Sequence, residues 1–188
     1  MPSGSAADDR GRRLTAREAP TEGARVAETE LDPFADILDG PVYVVTVAAA
    51  GERSGCLVGF ASQCSIRPPR FAVWLSKLNH TFRVAQDASH LAVHVLDHGE
   101  GPLAELFGGE TGDRVDKFAR VDWRPSTDGT PLLAGARAWF VGRVETRVDA
   151  GDHVGFVLAP TEVSPPVPTP PTLLRYGDVK DIDPGHPA

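Results

Sequence analysis

Three short clusters carry the side chains best suited to chemistry. Ser62, Gln63, Cys64 and Ser65 run into Arg67, Pro68 and Pro69. Prolines end a strand and supply no N–H, so the amides ahead of them point outward, where they can bind an anion or a ring carbonyl. An ordinary strand end with polar turn residues fits the same spacing. Lys77, Asn79, His80 and Thr81 stand between a strand pattern and a helical one. The start of a helix offers free amides and a favourable dipole to a phosphate, and a plain N-cap by Asn79 or Thr81 is the alternative. Gly151, Asp152 and His153 separate two strand patterns and read either as a hairpin turn or as a rim site. In the second case a histidine titrating near neutrality could donate to an electron-rich ligand.

Other chemistries are disfavoured. His90, His94 and His98 are four residues apart, which suits a helix face. The alternation of Leu91, Val93 and Val95 makes the segment extended, and histidines four apart in a strand lie ~13 Å from each other, too far to share one metal ion. No metal site is expected. Cys56 and Cys64 read as one strand and would then stand ~26 Å apart, which excludes a disulfide. Gly108–Gly112 lacks the Lys-Ser or Lys-Thr of a phosphate-binding loop, and no Gly-x-Gly-x-x-Gly follows a strand.

The elements that must hold these clusters are mostly strands. Period-two or continuous apolar runs cover residues 41–48, 55–65, 71–76, 91–96, 136–148 and 153–163. In the fifth run Ala136, Ala138, Phe140, Val144, Thr146 and Val148 share one face, and Arg137, Arg143, Glu145 and Arg147 the other, as in a strand with one wet side. Helical pieces fit at 32–38, with Asp32 capping and Pro33 in the first turn, at 81–88 and at 101–107, with a short helix over 113–118. Six strands with few helices between them indicate a mainly β barrel.

Composition sets the outer limits. The 188 residues suit one domain with tails, and 41% hydrophobic with 24% charged residues is ordinary for a globular chain. Residues 1–32 contain no aromatic side chain and read as a loosely packed tail; 33–163 form the domain; the proline-rich 164–171 is extended, and the segment to 188 packs back on the barrel. A net charge of −7 argues against a nucleic-acid partner. No apolar run reaches the roughly 20 residues that span a bilayer, and the N-terminus lacks a signal-peptide core, so no membrane association and a cytoplasmic location are expected.

Taken in order, GPVYVVTV at Gly40, the Gly55–Pro69 strand with its proline pair, LSKLNHT, LAVHVL, DKF at Asp116–Phe118, GTPLLAGARAWF and GDH resemble the flavin reductase-like, FMN-binding split-barrel family over about residues 33–181. The resemblance implies a split β-barrel of Greek-key type, a homodimer, and hydride transfer from NADH or NADPH to flavin, FMN first and FAD as the alternative. A partner monooxygenase would receive the reduced flavin. It implies that Leu57, Val58 and Gly59 face the isoalloxazine, where relatives often have Ser, Thr or Asn, so that backbone contacts replace side-chain ones. By the same resemblance Ser62, Gln63, Cys64 and Ser65 lie at the ring and phosphate, Lys77, Asn79, His80 and Thr81 form the phosphate turn, and His153, beside Asp152, lies by the nicotinamide. Where relatives place a closing Tyr, this chain has Val179, with Tyr176 three residues earlier. Two other readings remain: a flavin-storing module without turnover, and a barrel using a deazaflavin or haem.

Overall fold

The computed structural model describes residues 31–35, 37–169 and 172–185. All but the last two residues of the expected tail lie outside these. Up to Ile37 the described residues form a separate unit that holds one helical turn, α1 (Asp32–Ala35), shorter than the expected 32–38.

From Leu38 onward the chain forms β1 (Tyr43–Ala49), β2 (Glu52–Val58), β3 (Ala61–Ile66), β4 (Pro69–Ser76), α2 (His80–Gln86), β5 (His90–Val95), α3 (Gly101–Gly109), β6 (Trp123–Pro125), β7 (Pro131–Leu133), β8 (Ala138–Ala150), β9 (His153–Val163) and α4 (Tyr176–Val179). Seven strands make one antiparallel sheet in the order β2-β1-β5-β8-β9-β4-β3, and β6 and β7 pair as a separate ribbon. The edge strands β2 and β3 are consecutive in sequence, joined by Gly59 and Phe60 alone, so the sheet must curl until its two edges meet at that corner. The Phe60 carbonyl accepts a hydrogen bond from the Trp74 amide at 2.9 Å, tying the corner to β4. This is the split-barrel architecture.

The continuous apolar run of β1 follows from burial on both faces. Val45 and Val47 point into the barrel with Val73, Leu75, Leu91, Phe156 and Leu158, whereas Val42 and Val44 face an outer layer of Leu96, Phe107, Phe118 and Leu174. Thr46 is fully buried and donates to the Pro131 carbonyl at 2.6 Å. Residues 173–182 lie along this outer layer: Leu174 donates to Leu96 O and accepts from Val42 N, and Val179 is buried.

Three expectations are corrected. Residues 55–65 are two strands, with Cys56 buried on β2 and Cys64 exposed on β3, because the apolar pattern runs through the corner without marking it. The helix expected over 113–118 is one 3-10 turn, Lys117–Ala119. Register shifts at Val141/Gly142 and Val144/Thr146 break the alternation of β8, so that Thr146 and Val148 are exposed.

Candidate active site

Three sequence-distant segments converge at the β2–β3 corner. Pairing of β4 with β9 sets Ser76 opposite His153, and the Lys77 amide donates to Asp152 O at 2.9 Å. The Lys77–Thr81 turn and the Gly151–His153 turn are therefore neighbours. Gly151, with φ of 92°, takes the left-handed conformation that lets β8 reverse into β9. On the other side the Phe60 ring, 66% exposed, meets the His153 ring edge-on at 5.5 Å.

His153 is oriented by its neighbour. Its Nδ1 lies 2.8 Å from Asp152 Oδ1, and this bond holds the Asp152 carboxyl below the usual carboxylate range. The ionised carboxylate accepts from Nδ1–H, which leaves Nε2 without a partner among the described residues, on a side chain 26% exposed. In the neutral ring Nε2 is an acceptor; once protonated it is a donor.

At the corner itself the side chains of Leu57 and Val58 are committed elsewhere. Leu57 packs in the outer layer against Gly108, and Val58 is 5% exposed in the barrel core. What remains accessible is backbone. Gly59 is exposed, and a Cβ built on it would meet only Tyr176 Cδ2, at 4.0 Å. Tyr176, 52% exposed, thus borders the corner, whereas Val179 belongs to the core. Ser62, Gln63 and Cys64 continue the exposed edge along β3, and Cys64 has no cross-strand partner because the register shifts between Gln63 and Ser65. Gln63 Nε2 donates to Ser65 O at 3.1 Å, and the Ser65 hydroxyl donates to Pro68 O at 2.7 Å. As expected, β3 stops at Ile66 ahead of the prolines; Pro69 already opens β4, so one edge of β3 is paired with β4 and the other open.

The second turn divides its residues between surface and interior. Lys77 Nζ contacts both Asp149 oxygens at 2.8 Å, which keeps that carboxyl low, and the pair is solvent-exposed. Asn79 caps α2, accepting from Thr81 N at 2.9 Å. Thr81 is 1% exposed, its hydroxyl 2.9 Å from Ser54 Oγ; His80 Nδ1 also bonds Ser54 at 2.8 Å, and its Nε2 reaches Glu52 at 2.9 Å. His80 and Thr81 therefore grip β2 instead of facing outward. Their amphipathic types concealed this, and Ser54 and Glu52 carried no sequence signal as their partners. Phe60 and Tyr176 also border this corner, and patterning does not reveal them, since a lone exposed aromatic has no period.

The three spaced histidines have separate roles. His94 is fully buried: its Nδ1–H donates to Val44 O at 3.0 Å and its Nε2 accepts from Leu133 N at 3.2 Å. His90 pairs with Asp128 and His98 lies 3.8 Å from Asp178. Among the described residues no helix is long and apolar enough to cross a membrane.

The sequence profile of the flavin reductase-like domain matches residues 36–181. The chain belongs to the flavin reductase-like domain family. Relatives agree: it is 33% identical over 134 residues to the reductase subunit HsaB of a flavin-dependent monooxygenase of Mycobacterium tuberculosis, covering 68% of this chain and 70% of that one. It is 30% identical over 122 residues to the reductase component of a flavin-dependent trigonelline monooxygenase of Acinetobacter baylyi, covering 65% of this chain and only 38% of that one. The solved NADH:FAD oxidoreductase SgcE6 of Streptomyces globisporus C-1027 superposes with a TM-score of 0.68 at 26% identity, covering 78% of this chain and 88% of that chain. The curled antiparallel sheet agrees with that family.

Proposed function

We propose that this protein transfers hydride from NADH or NADPH to flavin, FMN or FAD, as the reductase of a two-component system whose partner monooxygenase consumes the reduced flavin. The observation that carries this reading is the open corner at Gly59, bordered by Tyr176 on one side and by Phe60 and His153 on the other. A flat ring fits there because no Cβ occupies the space above Gly59, and the exposed β3 edge beyond it offers backbone amides and the side chains of Ser62, Gln63 and Cys64. Bound flavin would supply the hydride acceptor at N5.

The chain's own part is mostly positioning. The backbone at Leu57, Val58 and Gly59 orients the ring plane, and Ser65 stiffens the β3–β4 turn through Pro68. Lys77 provides the cation for a phosphate, with Asn79 shaping the turn; the ion pair with Asp149 is exposed and weak enough to exchange partners. His80 and Thr81 support that turn from within, through Ser54. Asp152 fixes the ring of His153 with Nε2 accessible, where it would meet a nicotinamide, and Phe60 would exclude water from that side. A homodimer would cover the exposed Phe60 and Tyr176. The lack of polar side chains at Leu57 and Val58 favours a second reading, a flavin carrier without turnover.

Binding is tested by flavin fluorescence quenching. The wild type should quench FMN or FAD, and Gly59→Val, which fills the space above the corner, should not. Equal quenching by both would place the ring elsewhere.

A further inference from the structure

The segment Asp116–Phe118 lies outside the corner, yet each of its residues grips β2. Asp116 Oδ2 accepts from Arg53 Nη2 at 3.0 Å while Oδ1 caps its own turn at Phe118 N. Phe118 packs edge-on against Phe107 and Trp123, and the Arg53 guanidinium lies over Phe118 and Trp123 at 5.7 and 5.1 Å. Lys117 between them is 4% exposed and donates from Nζ to Gly55 O at 3.0 Å and to Phe107 O at 3.2 Å. Gly55 allows this approach, since a Cβ there would sit 2.8 Å from the Phe107 ring.

A buried ammonium bonded to carbonyls, with no carboxylate in contact among the described residues, is an expensive way to fill space. Burial pushes the Lys117 amine below its ordinary range, as that cost requires. An apolar side chain of similar length would fill the volume at less cost. What the amine adds is direction: it draws the Gly55 carbonyl towards the end of α3, two residues before Leu57.

We propose that Lys117, assisted by Asp116 and Phe118, is a positioning residue that sets the flavin-facing backbone of β2 from Leu57 to Gly59. The inference rests on the flavin reading above. Where β2 shifts, the ring plane shifts with it, although Lys117 itself never touches ligand.

The test is Lys117→Met in the full chain. Flavin binding followed by fluorescence quenching should weaken about tenfold, the scale of a small misplacement at a binding surface. Amide exchange at Cys56–Gly59 should quicken about tenfold while Tm stays within about 3 °C of the wild type. A merely structural role would instead lower Tm and speed exchange throughout the barrel, and that result, or unchanged flavin affinity, overturns the proposal. If Lys117→Met does not fold, Asp116→Asn, a surface change, should give about a twofold loss of affinity with faster exchange confined to the same residues. No change in either overturns it equally. Should the wild type bind no flavin, the functional reading fails, and local exchange at Cys56–Gly59 alone decides whether the clamp exists.

Discussion

His94 and His153 belong to one sheet and show what burial does to a side chain's freedom. At the centre, His94 on β5 has both ring nitrogens engaged by backbone, Nδ1–H on Val44 O and Nε2 accepting from Leu133 N. At the corner, His153 uses one nitrogen on Asp152 and keeps the other accessible. The central ring is locked in one tautomer, and protonating Nε2 would set a donor against the Leu133 N–H. The corner ring keeps Nε2 uncommitted among the described residues. The difference separates a group that builds the barrel from one that can act at its rim.

Breaking the central histidine should have the largest effect. His94→Ala leaves a cavity, takes the partner from the buried Leu133 N–H and removes one bond to Val44 O, and should cost about 4 kcal/mol in denaturant unfolding. Next comes acid. Burial holds the folded-state pKa of His94 at about 4, against 6.5 ordinarily, so between these values the unfolded chain binds a proton that the folded chain refuses. Stability should be full above pH 6.5 and fall as pH drops, by about 3 kcal/mol at pH 4, visible as a steepening loss of Tm that His94→Gln lacks.

The corner should respond in rate, not in stability. His153→Ala should slow hydride transfer about 30-fold, roughly 2 kcal/mol, with flavin affinity and Tm unchanged; stopped-flow reduction at saturating flavin measures it. Unchanged turnover would remove the nicotinamide role. Asp152→Asn frees the ring but keeps a hydrogen-bonding group beside it, and should cost about threefold in the same assay, or about 0.7 kcal/mol.

The same contrast explains what the sequence could reveal. Strands β1, β4, β5 and β9 show themselves because each carries an apolar run produced by burial, and β8 through an alternation of residue types that its register shifts interrupt in the fold. The corner at Gly59 and Phe60 was invisible, since an unbroken series of small and apolar residues crosses it while the chain changes sheet edge. The ribbon of Trp123–Pro125 with Pro131–Leu133 is too short for any period to register. At the site, GDH and LSKLNHT were legible as turns, but their adjacency arises from the β4–β9 pairing, a contact between segments far apart in sequence. Thr81 offered a hydroxyl that spacing could not orient, and the structure turns it inward onto Ser54. In the sequence Lys117 is only the middle of the DKF triplet, because burial of a charged residue leaves no pattern.

The central claim, that the rim of this barrel reduces flavin, is tested most directly by following absorbance at 340 nm as purified protein is mixed with NADH or NADPH and FMN or FAD. The account predicts flavin-dependent oxidation of at least one nicotinamide, well above the background without protein. A protein that quenches flavin fluorescence yet leaves both nicotinamides unoxidised would contradict it and establish a carrier in its place.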